Sequence, residues 1–141
     1  MKKRQSGVLM HISSLPGKYG IGSFGQSAYD FVDFLVRTKQ RYWQILPLGT
    51  TSYGDSPYQS FSAFAGNTYF IDFDILIEEG LLNEADVKGA DFGDDPRKVD
   101  YAKIFDARRP IMEKAVVRFL KADDLSDYES FVKQNTAWLE V

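Results

Sequence analysis

The sequence contains no cysteine and only one histidine among its 141 residues. Without cysteine there is no disulfide framework and no thiolate metal site, and one histidine among scattered acids predicts no metal centre. The net charge is also small. The sequence has 17 Lys and Arg against 20 Asp and Glu, and neither sign is concentrated in one segment. Such a balance gives no basic patch for nucleic acid or an anionic membrane, so we expect neither as a partner.

Long apolar runs are missing as well. The first apolar run after the basic start covers only residues 8–10, which is too short for a signal peptide core and far too short to cross a bilayer. We therefore expect a cytoplasmic protein. Because 44% of the residues are hydrophobic and 15% are aromatic, the chain can still bury a core.

The first fifty residues have the pattern of a βαβ unit. Residues 7–11 form an apolar run of strand length, and residues 42–46 (YWQIL) are aromatic and branched. Between them, apolar side chains recur at helical spacing over residues 27–39, opening on Ser27 and Asp30, which are typical of a capping box. The pattern predicts two parallel strands joined by a right-handed helical crossover.

The remainder of the chain predicts mainly helices. Residues 74–79 indicate a helical turn that ends at Gly80, and residues 88–98 a loop rich in Gly and Asp. A helix is predicted around residues 111–120 and another from about Ser126. The apolar last residues carry no helix stop signal, and one βαβ unit leaves two open sheet edges, so we expect a fragment of a longer protein.

The stretch from residue 49 to residue 67 is nearly uncharged, has no clear period, and follows the second strand. In parallel α/β folds the working loops follow the carboxyl ends of the strands, so the loops after His11 and from Pro47 are the functional candidates. Tyrosine faces with serine and amide groups suit a neutral sugar. The alternative is that the aromatics pack the loop onto the fold while its small polar residues satisfy its own backbone.

Three blocks of sequence resemble one family. The run YGDSPYQSFSAFAGN (residues 53–67) resembles the signature of the 4-α-glucanotransferases, or amylomaltases, of glycoside hydrolase family 77. HISSLPGKYGIGSFG (residues 11–25) and QRYWQILPLG (residues 40–49) resemble the same family in the same order.

The resemblance implies an α/β fold, the N-terminal part of a (β/α)₈ TIM barrel. Residues 1–49 would form its first two strands and first helix, and residues 50–141 the substrate loop with part of an inserted, mainly helical subdomain. The implied reaction transfers segments of α-1,4-glucan to the 4-hydroxyl of an acceptor, with retention and without a cofactor. The implied partners are maltooligosaccharides and other α-1,4-glucans, and no protein partner is inferred. The nucleophile and acid/base would lie beyond Val141, so this fragment alone is expected to be inactive.

Site residues follow from the same resemblance. Ser56, Tyr58 and Asp55 are expected to bind substrate, with Tyr58 stacking beside the reacting sugar. Tyr53 and Phe105 are expected to form a second glucan site outside the cleft. Asp55 has two further interpretations, a catalytic acid or a carboxylate that accepts backbone N–H groups and holds the turn.

Other chemistry-bearing side chains leave alternatives open. His11 closes the first strand, where it either faces the substrate or is a hydrogen-bonded structural group. Trp43 and Tyr42 lie within the second strand and are expected in the core. For the whole chain, the alternatives to a transferase are a non-catalytic glucan-binding module and a hydrolase of the α-amylase clan.

Overall fold

A computed structural model of the chain describes residues 4–52 and 54–139. In these residues two short strands are followed by a run of helices, with short 3₁₀ turns after the first strand and before the second helix. The strands are β1 (Gly7–Leu9) and β2 (Tyr42–Gln44), the 3₁₀ turns are Ile12–Ser14 and Thr68–Phe70, and the helices are α1 (Gln26–Arg37), α2 (Phe73–Glu78), α3 (Glu84–Val87), α4 (Tyr101–Phe119) and α5 (Ser126–Leu139).

The βαβ prediction is confirmed. β1 and β2 pair in parallel with Val8 opposite Trp43, and α1 connects them. Both strands are shorter than predicted, although the ladder continues past them, because the Met10 N–H donates to the Gln44 carbonyl (3.0 Å). The carboxyl ends of the two strands therefore lie side by side, and both candidate loops leave from the same edge.

The start of α1 differs from the prediction. Gly25 is the N-cap and no side chain caps the helix, so the capping box of Ser27 and Asp30 is wrong. The space at the helix start is taken by the Asp72 carboxylate, whose Oδ2 would lie 2.1 Å from a Cβ built on Gly25. Ser23 Oγ donates to that same Oδ2. A glycine is needed here because a distant carboxylate approaches the helix start so closely.

One core joins segments that are far apart in the sequence. Ile12 from the loop after β1, Ala28 of α1, Phe70 and Ile104 of α4 are all buried in a single cluster. α4 thus packs over the loop that follows β1. The proposed division of the chain at residue 49 remains a prediction, since side chains from both sides of it share this core.

A second core lies between α2 and α4, with Phe73, Leu82, Ile111 and Ala115 buried. Beside it the Arg108 guanidinium lies 4.1 Å from the centroid of the Phe73 ring. Its Nη2 donates to the Ile71 carbonyl (2.6 Å). Arg108 therefore ties α4 to the backbone just before α2.

The predicted helices at residues 74–79 and from Ser126 are confirmed as α2 and α5. α4 is longer than predicted because it begins at Tyr101, where the Asp100 carboxylate caps Lys103 N (3.1 Å), and continues through Pro110. Of the described helices, none combines the length and the apolar character needed to cross a membrane.

The two aromatic residues of β2 behave differently. Trp43 is half-buried, packs edge-on against Phe31 (4.9 Å between centroids) and donates through Nε1 to the Met10 carbonyl (2.7 Å). Tyr42 is exposed, so its placement in the core of this chain is wrong. Neighbouring strand residues point to opposite faces, and only the face of Trp43 is covered by α1.

Candidate functional site

The loop after β2 is closed at its base by backbone pairing. Gly49 and Gly66 form an isolated antiparallel bridge, and the Asn67 N–H donates to the Leu48 carbonyl (2.9 Å). Inside the loop, Ser60 Oγ lies 3.0 Å from Thr50 Oγ1. Residues 49–66, called the aromatic loop below, therefore project as one unit from the carboxyl end of the sheet.

Most small polar residues of the aromatic loop hold the loop itself. Ser52 Oγ donates to the Gln59 carbonyl (2.6 Å), and Ser60 Oγ donates to the Ser62 carbonyl (2.6 Å). Ser62 Oγ accepts from the N–H of Ala65 (3.1 Å). For these serines the structure supports backbone satisfaction, the alternative to sugar binding, because their hydrogen bonds stay within the loop.

The described aromatic residues of the loop are exposed in this chain. Tyr58, Phe61 and Phe64 are 71%, 77% and 71% exposed. Only Phe64 has an aromatic neighbour among the described residues, the Trp138 ring of α5 (5.8 Å, interplanar angle 25°). Exposed apolar rings on a loop that is held by its own hydrogen bonds are typical of a binding surface. A loop that packs onto a core would bury its rings.

Tyr58 and Ser56 lie together on the outer part of the loop. The Tyr58 N–H donates to Ser56 Oγ (3.3 Å), so the serine hydroxyl keeps its own proton for another acceptor. The Tyr58 ring borders an open hollow of about 490 Å³ that also touches Pro47, Pro57 and Phe64. An aromatic ring and a serine hydroxyl thus lie close together on this part of the loop, and their role in sugar binding stays a prediction.

Asp55 occupies a strained backbone position. Its φ is +55°, in the left-handed region, and its N–H donates to the Ser52 carbonyl (3.0 Å). Its carboxylate accepts no hydrogen bond from the described residues, so the interpretation that it holds the turn through its side chain is not supported there. The exposed carboxylate instead borders a small cavity of about 120 Å³ at the strand ends.

His11 lines the same small cavity from the opposite strand. Its side chain is buried, 8% exposed, and packs edge-on against Phe70 (5.3 Å between centroids). Nδ1 accepts the Leu46 N–H (3.3 Å), which links the end of β1 to the end of β2. Burial lowers the pKa of His11, so its ring is neutral at pH 7.

Tyr101 and Tyr69 stand close enough to Asp55 to feel its charge. Burial first, and then the negative charge of Asp55, raises the pKa of both phenols. Both therefore keep their protons at neutral pH and remain hydrogen-bond donors. Tyr101 lines the small cavity together with Asp55 and His11.

Phe105 lies on a second, larger surface. It is more than half exposed on α4 and faces an open groove of about 740 Å³ between α4 and the aromatic loop. Phe61 of the aromatic loop and Tyr69 of the following 3₁₀ turn line the opposite side of the groove. Tyr53, the predicted partner of Phe105, lies outside the described residues.

The groove between α4 and the aromatic loop was missed in the sequence. Its α4 wall is formed by side chains that recur every three or four positions, which places them on one face of a helix. This spacing was the available signal, although Pro110 interrupts it. The α4 wall consists of Phe105, Arg108, Arg109, Met112, Glu113, Val116 and Val117.

The described residues contain no group of three histidines or acids that could hold a metal ion. Among the residues that line the small cavity, Asp55 is the one carboxylate. The site thus offers rings, hydroxyls and neutral donors around one acid, which fits binding of an uncharged polar molecule.

The fold of the chain matches part of a solved amylomaltase structure. The structure of the amylomaltase from Streptococcus agalactiae in complex with acarbose superposes with a TM-score of 0.90 at 58% identity. The match covers 95% of this chain and 27% of that chain. The chain belongs to the 4-alpha-glucanotransferase family, whose model matches residues 10–141.

Relatives that are similar over all or nearly all of this chain are also named 4-alpha-glucanotransferase. The 4-alpha-glucanotransferase of Streptococcus pneumoniae serotype 4 (strain ATCC BAA-334 / TIGR4) is 75% identical over 141 residues, covering 100% of this chain and 28% of that protein. That of Thermus thermophilus is 44% identical over 137 residues, covering 96% of this chain and 26% of that protein. The chain thus spans little more than a quarter of the length of these relatives.

Proposed function

We propose that the chain supplies the aromatic substrate loop of a 4-α-glucanotransferase, which transfers segments of α-1,4-glucan to the 4-hydroxyl of an acceptor. The observation that carries the proposal is the set of exposed rings at positions 58, 61 and 64, held at the carboxyl edge of the sheet by the loop's own hydrogen bonds. Family membership of the chain and the acarbose bound to the similar amylomaltase support a glucan as substrate.

The residues of this chain bind and position, while the chemistry comes from elsewhere in the protein. A retaining transfer needs a carboxylate nucleophile and a carboxylic acid about 5 Å apart across the bond. Asp55 alone cannot fill both roles, and it is the one acid at the small cavity within the described residues. The chain spans 28% of the length of its Streptococcus pneumoniae relative, so we place the nucleophile and acid/base in the part of the family sequence that this chain does not cover, and we expect this chain alone to be inactive.

Within the cleft, Tyr58 is the stacking platform and Ser56 a hydroxyl ligand. The Tyr58 ring gives an apolar face for a pyranose ring, and Ser56 Oγ has a free proton beside it. Asp55 accepts hydrogen bonds from sugar hydroxyls at the small cavity that it lines.

Outside the cleft, Tyr53 and Phe105 form a second glucan site. Support comes from the groove beside α4, in which Phe105 and Phe61 expose ring surface on facing walls. A long glucan bound there extends past the cleft, whereas maltotriose is too short to need it.

The architecture we propose is the beginning of a (β/α)₈ barrel. The parallel β1–α1–β2 unit supplies its first two strands and first helix in residues 1–49. The helical remainder, residues 50–141, belongs to an inserted subdomain that carries the aromatic loop. The enzyme acts in the cytoplasm on maltooligosaccharides and needs no cofactor.

Disproportionation of maltotriose by the full-length protein tests this function. A transferase yields glucose together with a ladder of longer maltooligosaccharides, which chromatography of the products separates. A hydrolase of the α-amylase clan yields only shorter products, and a non-catalytic glucan-binding module yields none. Either of those results rejects the transferase.

A further inference from the structure

His11 is held in a position from which it can contact a ligand. It lies two residues after β1 and precedes the 3₁₀ turn Ile12–Ser14 as its N-cap residue, yet its side chain makes no capping hydrogen bond. The ring instead crosses to the end of β2, where Nδ1 accepts the Leu46 N–H. The packing against Phe70 fixes the plane of the ring.

The Leu46 contact determines where the imidazole proton lies. A backbone N–H only donates, so Nδ1 must be unprotonated, and the neutral ring carries its proton on Nε2. Nε2 makes no hydrogen bond to residues 4–52 or 54–139, and it is not among their fully buried, unpaired polar atoms. Its N–H is therefore an accessible donor, and the small cavity is the space that the His11 side chain borders.

Asp55 lines the same cavity, and its carboxylate receives no hydrogen bond from the described residues. An imidazole N–H and a carboxylate that border one cavity fit a hydroxyl group, which accepts one hydrogen bond and donates another. The cavity of about 120 Å³ admits such a group but not a pyranose ring, since one water molecule takes up about 30 Å³ in the liquid.

We propose that His11 is a substrate-binding residue. Its Nε2–H donates a hydrogen bond to one hydroxyl of the bound glucan, and the Asp55 carboxylate accepts a hydrogen bond from that same hydroxyl. This inference rests on the proposed function and adds to it a specific pair of residues that selects one hydroxyl. It also explains why the two strand ends are tied together, because the Leu46 hydrogen bond aims the donor.

Two variants separate the two nitrogen atoms of His11. In His11→Asn, the side-chain amide places Oδ1 near the position of Nδ1, so the Leu46 N–H keeps an acceptor while the Nε2 donor is lost. In His11→Gln, the amide reaches the position of Nε2 and can donate there, while the Nδ1 acceptor is lost. If His11 binds substrate, His11→Asn is the less active variant; a purely structural role makes His11→Gln the less active one.

The decisive experiment uses the full-length protein and a set of maltotrioses that each lack one hydroxyl. We expect the wild type to lose roughly 100-fold in kcat/KM on one analogue, because that hydroxyl makes two hydrogen bonds and each is worth about tenfold. Compared with wild type on the same substrate, His11→Asn should lose about tenfold in kcat/KM on maltotriose and nothing on that analogue, because the analogue lacks the hydroxyl that His11 binds. Equal losses by His11→Asn on maltotriose and on every analogue overturn the proposal, as does activity within twofold of wild type.

Asp55→Gly provides the same test without altering His11. Glycine adopts φ of +55° without strain, so the turn survives while the acceptor disappears. This variant should become about tenfold less sensitive than the wild type to the same missing hydroxyl, because only the His11 hydrogen bond is left. A uniform loss on all analogues contradicts the pairing even if His11→Asn does not fold. A wild-type protein that leaves maltotriose unchanged rejects the proposed function itself; an active wild type with uniform losses in the variants rejects only this inference.

Discussion

Tyr58 presents its ring on a loop that is held together by serine hydroxyls and not by the ring itself. With 71% of the residue exposed, the ring adds little to folding and is available to a ligand. Ser60 and Ser62 carry the loop's internal hydrogen bonds instead. The side chains that hold the loop together thus differ from the ring that we propose to bind substrate, so the two properties can be changed separately.

Replacing Tyr58 by alanine should therefore reduce glucan turnover and leave stability unchanged. Burying an aromatic ring against a partner is worth roughly 1.5–3 kcal/mol, which corresponds to a loss of about 10- to 100-fold in kcat/KM on maltotriose. Tyr58→Phe is the matched control, since it keeps the ring and should retain most of the activity. A Tyr58→Ala enzyme within twofold of wild type, at an unchanged thermal midpoint, would remove Tyr58 from the cleft.

Phe105 and Tyr53 should respond to chain length. Because we place them in a groove outside the cleft, Phe105→Ala and Tyr53→Ala should change activity on amylose by several-fold and leave maltotriose turnover near wild type. Initial rates on both substrates, measured for each variant, give the ratio that matters. Equal losses on the two substrates would show that these residues do not form a separate site.

At the scale of elements, the sequence was sufficient wherever a signal is local. The βαβ unit could be predicted because its periodicity changes from strand to helix and back within residues 7–46. The helix start could not, because the group that displaces the capping box is Asp72, which is brought there by the chain fold. The pairing of His11 with Leu46 is hidden for the same reason, as it joins two loops.

α4 shows how tertiary packing overrides a local rule. Proline lacks the N–H for an interior helical hydrogen bond, so the sequence favours a helix that begins after Pro110. The observed helix runs through it, with Ile104 buried in the first core and Ile111 in the second. Burial of side chains on both sides of Pro110 offsets the lost hydrogen bond, and the groove that Phe105 borders exists only because the helix continues.

The contact between α3 and α4 should depend on pH. Asp86 is only 10% exposed in its side chain and lies 2.5 Å from Arg118 Nη1; the hydrogen bond from Arg118 lowers the pKa of Asp86 to about 2. A carboxyl whose pKa falls on folding stabilises the fold fully above its ordinary value of 3.8, and this stabilisation is lost as the pH falls towards 2.

In the full-length protein we accordingly expect Asp86→Asn to lower the thermal midpoint at pH 6, and the difference in midpoint from wild type to shrink below about pH 4. Thermal unfolding of both proteins from pH 6 to pH 2.5 measures that gap. Glu113→Gln is the matched control. Glu113 pairs with Arg109 on the exposed face of α4, so its replacement should shift the thermal midpoint little. A gap that stays constant down to pH 2.5 would mean that the Asp86 charge does not stabilise the fold.

At the scale of the whole molecule, the 141-residue polypeptide should be poorly stable by itself. Its two strands have no further neighbours in the described part of the chain, and α1 exposes Val32, Phe34 and Val36. Unpaired strand edges and exposed apolar surface favour association. Light scattering and calorimetry of the purified polypeptide should show aggregates without a cooperative transition; a soluble monomer that unfolds cooperatively contradicts this.

The first core also dictates when the protein can become compact during its synthesis. Ile12 leaves the ribosome roughly 90 residues before its buried neighbour Ile104, which at 5–20 residues per second is a delay of about 5–20 s. Once β2 has been synthesised, the β1–α1–β2 unit can form its local contacts, but α4 does not yet cover the loop after β1. A nascent chain stalled before α4 is therefore the stage at which chaperones should bind it most, and at which proteases should cleave it.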